Sequence, residues 1–478
     1  MCCSKKVKYV CLKLLSKIFI KIELIIFLLS FFLLSFLEIF IMKSISTSFN
    51  GRFQSYSSEE LMQTVEITSL VNSGFWGFFY LHIQPPIFDI LRFILVLPEN
   101  LKNTEINDLI LDYRIYFVHI IIYSFLNVIV FKFGVLIGLK KLTALIVTFV
   151  WALYPGNLFC ATLLDSTYLS TFFMTLTFFF FYKSITQKSL KVFCVFLFFT
   201  LLMTLTRTVF QIHIIIPIIL YAIYFTFFNK SVSNKRLSLQ IVSIIIALLL
   251  LALPMKQLIL FGTTSTTTFA GYHKVGVIWA SYSESSLDDI TVPSHVINNS
   301  EKFVSKLNSP ESVVNNYRLE HLFPKIITNS PFESLYGITK SVWLNFKNAS
   351  TPTSQYTSNL FVDRHPLLNV YNRIFSFPIY TLLVSLSVLY LLSRKKELGI
   401  NPSVFYHFVS FYALPLSTIL LANRYDWTES IRLKTIIEIP LFLIIGLFCQ
   451  DFLKRNLAIS HIRHVVVHYF KAKTSFRS

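Results

Sequence analysis

About ten apolar runs follow one another along this chain, most of them near the roughly 20 residues that a bilayer-spanning helix needs. They lie near 18–42, 112–136, 142–158, 163–182, 192–207, 209–228, 241–261, 373–393, 403–421 and 431–453. Runs of this length are too long for strands and too continuous for the one-sided stripe of a surface helix. The 478 residues are 54% hydrophobic and only 14% charged, more apolar surface than a soluble core of this size requires. The pattern predicts an all-α polytopic membrane protein of about ten transmembrane helices.

The formal charge of +19 raises the question of a nucleic-acid partner. The cations sit in short clusters between apolar runs, so none is expected. "CSKKVKYVCLKLLSK", "GLKK", "KSITQKSLK", "NKSVSNKR", "SRKKE" and "KRNLAISHIRHVVVHYFKAK" are all basic, whereas "YPGN" and "RT" carry no lysine. By the positive-inside rule this predicts a multi-pass integral protein with both termini cytoplasmic, in a bacterial inner membrane or the endoplasmic reticulum. The first run is too long for a cleaved signal and lacks a small-residue cleavage site, so an uncleaved helix is expected. Cys2 and Cys3 beside Lys5 and Lys6 suit either acylation or two reduced thiols. The single outer cysteine, Cys160, has no partner on that side for an intramolecular disulfide.

Two long segments remain for the outer side, 43–111 and 262–372. The expected organisation is an N-terminal transmembrane module over 1–261 that includes the first outer loop, a second outer loop over 262–372, and C-terminal helices with a basic tail over 373–478. The three parts are expected to form one integrated membrane domain. In the first loop Ser57 and Glu60 have capping-box spacing, which predicts a short interfacial helix with Glu59 and Glu66 on one face. A solvated acidic stripe is the plainer reading of that face. "YLHIQPPIFDILRF" follows, where Pro85 and Pro86 hold the backbone extended and then permit a helix to start. His82 and Gln84 would be fixed beside that corner.

Further candidates gather where later runs meet the same side. Asp165 lies just beyond the "YPGN" turn, at a depth where a carboxylate needs a partner or a task. Arg207 ends one run in "LTRTVFQIHIIIP". The stretch "NRYDWTESIRLKTIIEIPLF" supplies Arg424, Arg432 and Lys434, with Glu438 inside the last run. Carboxylates and guanidinium groups on one face suit an anionic headgroup held by bidentate hydrogen bonds, with a carboxylate as general base. His461, His464 and His468 share a helical stripe in the tail but have no carboxylate or cysteine beside them, so a surface helix is expected there rather than a metal site. No metal ligand set is assigned, and no cofactor is required, although a divalent ion is compatible with the pattern.

The order of these motifs resembles the C-type membrane glycosyltransferases. The closer likeness is to the relatives of dolichyl-phosphate-mannose–protein mannosyltransferases and of bacterial lipid A sugar transferases. It rests on the acidic first loop, "HIQPPIF", "YPGNLFCATLLD", "LTRTVFQIHIIIP" and "IRLKTIIEIP". The resemblance implies inverting transfer of a hexose or pentose from a polyprenyl-phosphate (dolichyl-phosphate) carrier to a hydroxyl of a protein, glycan or lipid, on the extracytoplasmic or lumenal face. Glu66, Asp165 and Glu59 would be the catalytic carboxylates. His82, Gln84, Arg207, Arg424, Arg432 and Lys434 would bind substrate. A lipid or sugar transporter and a non-catalytic accessory subunit are the alternatives that share the expected topology, and membrane lipids are partners under each.

Overall fold

The computed structural model describes residues 21–37, 58–59, 64–101, 107–230, 236–268, 270–278, 285–305, 308–347, 402–421 and 434–454. Their regular structure is helical. Helix α1 covers 21–37. It is followed by α2 (Ile67–Ser73), α3 (Phe75–Tyr80), α4 (Ile87–Leu101), α5 (Asp108–Leu136), α6 (Lys141–Ala152), α7 (Pro155–Thr162), α8 (Thr167–Gln187), α9 (Leu190–Thr204) and α10 (Ile212–Ile223). A π-helical turn, Tyr224–Phe228, extends α10. Then come α11 (Leu237–Leu249), α12 (Ala252–Phe261), α13 (Ala270–Ile278), α14 (Ser285–Asp288), α15 (Ser294–Ser300), α16 (Pro310–Asn329), α17 (Pro331–Lys347) and α18 (Pro402–Leu420). Residues 434–454 form α19, interrupted at Glu438.

Local chemistry sets the element boundaries. Asn107 precedes α5, and its side-chain oxygen accepts from the amides of Leu109 and Ile110 at 3.0 and 3.2 Å. Those are two of the amide groups that a helix start leaves without an intrahelical partner. Pro155 opens α7, where its missing N–H costs nothing. Ser309 caps α16 by accepting from the Ser312 amide at 3.2 Å, with Pro310 next. Helix α8 ends at Lys188, in the left-handed region at φ 49°. Gly262, at φ 68°, ends α12 where a Cβ would stand 2.7 Å from the Tyr317 ring. Only glycine meets both conditions there.

The main core is aromatic and lies where α5, α8, α9, α10 and α18 meet. Phe181 stacks on Phe411 with centroids 4.3 Å apart, and Phe193 stacks on Phe225 at 4.2 Å. Phe133, Phe178 and Phe408 continue the cluster. A smaller core of Val275, Ile278, Leu319, Leu322 and Ile326 joins α13 to α16. Two glycines permit the close crossings there. A Cβ on Gly271 would meet the Asn316 carbonyl at 2.7 Å, and one on Gly337 would meet the Ile278 carbonyl oxygen at 2.0 Å.

The ten-span expectation does not hold. Among the described residues two helices are long and apolar enough to cross a membrane, Asp108–Leu136 and Leu237–Phe261. Lys141–Ala152 with Gly156–Thr162 makes a third if that pair, bent by 59°, is one span. The multi-pass topology with both termini cytoplasmic, and the localisation drawn from it, fall with this finding. Three physical reasons account for the difference. Apolar runs that look continuous in sequence are divided in space, as the 142–158 run is at Leu153–Tyr154. Others give helices shorter than a span needs, Leu190–Thr204 in α9 and Ile212–Phe228 in α10 with its π-helical turn. Helix α8 is 21 residues long but carries many hydroxyls, and Ser170, Thr171, Thr175 and Thr177 each donate to the carbonyl four residues back. Such internally satisfied hydroxyls let a helix be buried in protein without being uniformly apolar. The run near 373–393 lies outside the described residues.

Candidate functional site

The Pro–Pro corner is where distant parts of the chain converge. His82 is fully buried. Its amide and that of Ile83 both donate to Asn308 Oδ1, at 2.9 and 3.3 Å. The His82 carbonyl accepts from the Thr268 amide at 3.0 Å and from Gln257 Nε2 at 3.2 Å. Its ring Nδ1 meets Thr268 Oγ1 at 2.9 Å and the ring leans on Phe261. Thr267 donates to the Ile83 carbonyl at 2.5 Å, and Lys256 donates to that of Leu81. Extended backbone has no internal partners of its own, so the Thr-rich stretch supplies them. Burial, reinforced by the Lys256 charge, pushes the His82 imidazole down to about 3.

Below the corner lies a buried ionic cluster that sequence reading missed. Arg92 Nη1 donates to Asp89 Oδ1 at 2.8 Å and to the Val65 carbonyl at 2.7 Å, while Nη2 pairs with Glu59. Gln84 Nε2 donates to Asp89 Oδ2 at 2.5 Å. Asp89 and Arg92 are both fully buried. Burial pushes both carboxyls, Glu59 and Asp89, up from their ordinary range, and the shared guanidinium opposes it. The signal was present as Asp–x–x–Arg inside an apolar run, the i,i+3 spacing of facing helical partners.

The second cluster joins Asp165 to Arg207. Asp165 is fully buried and accepts from the Thr167 amide at 2.7 Å and from the Thr167 hydroxyl at 2.9 Å. Arg207 Nη1 stands 3.7 Å from Asp165 Oδ2 and donates to Ser166 Oγ and Thr167 Oγ1, each at 3.0 Å. The corner and this cluster are tied directly, because the Ile87 amide donates to the Leu205 carbonyl at 2.9 Å.

Both clusters border one cavity of about 400 Å³. Its polar wall includes Gln84, Ser166, Arg207, Ser265, His273 and Lys274. Its apolar wall includes Val209, Ile212, Val277, Phe323, Ile338 and Ile419. Lys274 is paired with Glu320 at 2.6 Å, as Arg207 is with Asp165. Of the candidates read from the sequence, Gln84 and Arg207 share this wall. His82 sits behind it as a brace, and Asp165 sits behind Arg207. Glu59 faces Arg92, whereas Glu66 precedes α2 and accepts from Ser69 Oγ at 3.2 Å. Lys434 is buried near Glu438, and burial lowers its ammonium to about 8 against the opposing pull of that carboxylate. Arg424 and Arg432 lie outside the described residues. No group of three or more His, Cys, Asp or Glu side chains capable of holding a metal comes together among the described residues.

No protein-family model matches this chain, and no curated protein matches it. The likeness to membrane glycosyltransferases is therefore corrected on two counts. The family is not detected, and the described helices provide two or three candidate spans where that enzyme class needs many. The sugar-transfer activity inferred from the likeness goes with it. The reason lies in the motifs themselves. "HIQPPIF" and "LTRTVF" are short, and the contacts above give each of them a packing task.

Proposed function

We propose that the chain binds an amphipathic ligand whose acidic head meets Arg207 and whose hydrocarbon body lies along the apolar wall. The observation that carries this reading is the position of Arg207, 5% exposed yet on the wall of a cavity that also presents hydroxyl, amide, imidazole and apolar side chains, and whose other cation, Lys274, is paired with Glu320. Ligand sites are commonly of this kind, mostly apolar with a few placed polar groups. Asp165 behind the guanidinium offsets part of its charge, which favours a singly charged head over a more highly charged one.

Calorimetric titration of the full chain with dodecanoate and with dodecanol tests this. Dodecanoate should bind more tightly, and Arg207→Gln should weaken it by about tenfold or more, the loss expected for a hydrogen bond to a charged group. The Arg207→Gln/Asp165→Asn double variant should bind the two ligands alike without leaving an unpaired buried carboxylate. Equal binding of the two by the wild type would rule the reading out.

A further inference from the structure

The cavity wall holds a second polar group whose orientation is set from behind. Gln84 lines the cavity, and its Nε2 donates to Asp89 Oδ2 at 2.5 Å. An ionised carboxylate only accepts, so the amide must turn its nitrogen toward Asp89. Arg92, which donates to the other oxygen of the same group at 2.8 Å, favours the carboxylate form against the upward push of burial. The Gln84 side chain cannot readily turn over. Its backbone is extended before two prolines, the preceding carbonyl accepts from Thr267, and Asp89 is fixed on α4 by the Arg92–Val65 contact. The consequence is chemical: with the nitrogen committed to Asp89, the carbonyl oxygen Oε1 is the end left to serve a ligand.

We infer that Gln84 is a specificity-determining residue that presents a fixed hydrogen-bond acceptor to the cavity, so that the preferred ligand is an acidic amphiphile carrying a hydroxyl close to its acidic head. This rests on the amphiphile-binding reading and adds the chemistry of the head to it. Arg207 supplies donors for the oxyanion, and Gln84 supplies an acceptor for a nearby O–H. The two residues belong to segments already joined by the Ile87–Leu205 backbone bond. A site that hydrogen-bonds a ligand hydroxyl discriminates against the analogue lacking it, because its own polar group is then left buried and unpaired.

The test compares dodecanoate with 2-hydroxydodecanoate, 3-hydroxydodecanoate and their O-methyl ethers by calorimetric titration of the full chain. At least one hydroxy acid should bind about tenfold more tightly than dodecanoate, and its methyl ether, which keeps the oxygen and loses the donor, should lose that advantage. Gln84→Leu should bring the ratio of hydroxy-acid to dodecanoate affinity to about one, whatever its effect on dodecanoate binding itself. Methyl ethers that match the hydroxy acids in the wild type would show that Gln84 offers its N–H₂ instead, which overturns the inference without needing any variant. Dodecanoate binding with no hydroxyl preference overturns this inference alone. Failure of every amphiphile to bind overturns the amphiphile-binding reading along with it.

Discussion

At the residue scale the interior is governed by charges that must be matched. Asp165 and Arg207 are each buried, and removing one partner leaves the other uncompensated in a poorly solvated site. Asp165→Ala should destabilise the fold by about 3–5 kcal/mol in chemical denaturation, and replacing both partners with apolar residues should cost much less. His82 behaves differently, because its stable form is neutral. Its folded pKa of about 3 lies below the ordinary histidine value near 6.5. The unfolded chain therefore binds the proton first as pH falls. The stability attached to His82 is complete above about pH 6.5 and drains away as pH falls toward 3. Thermal unfolding followed from pH 7.5 to 4.5 should show a shallower acid loss for His82→Gln than for the parent.

At the element scale, what the sequence revealed was helicity and the positions of breaks. The Pro–Pro corner, the YPG turn and the pairing need of Asp165 could all be read from it. Each depends on a local rule, such as proline geometry or the cost of a buried carboxylate. The division of apolar runs into short packed helices could not be read, because hydropathy does not tell a helix surrounded by lipid from one surrounded by protein. Helix α5 shows the difficulty: its most apolar window is 67% buried inside the protein, whereas that of Leu237–Phe261 is 28% buried, although both satisfy the same length and composition test. The Glu59–Arg92–Asp89 cluster escaped because Glu59 and Arg92 are 33 residues apart in sequence and meet only after folding. The close crossings of α13 give this scale its prediction. Gly337→Ala places a methyl group on the Ile278 carbonyl and should destabilise by at least the roughly 1–3 kcal/mol of overpacking, while Gly138→Ala, with open space around it, should be limited to backbone strain. Thermal unfolding of the two variants separates these cases.

At the scale of the whole molecule, the cavity is assembled from segments that share little sequence proximity. Its walls draw on residues near 84, 166, 207, 265, 338 and 419. Asn308 is the joint for the first of them, since one side-chain oxygen accepts from His82 and Ile83 while its nitrogen donates to the Phe303 carbonyl at 2.7 Å. Asn308→Ala should raise amide hydrogen exchange at His82 and Ile83 by roughly tenfold or more, because each unpaired buried amide costs about 1–3 kcal/mol. That same joint bears on how the molecule is made. The His82–Asn308 bond closes over 226 residues, so a ribosome synthesising the chain at about 5–20 residues per second needs roughly 10–45 s between the two. Throughout that interval the Pro–Pro corner is already outside and lacks its partner. The corner can be met earlier by Leu205, Gln257 and Thr268, but the amides of His82 and Ile83 gain their acceptor only when residue 308 arrives.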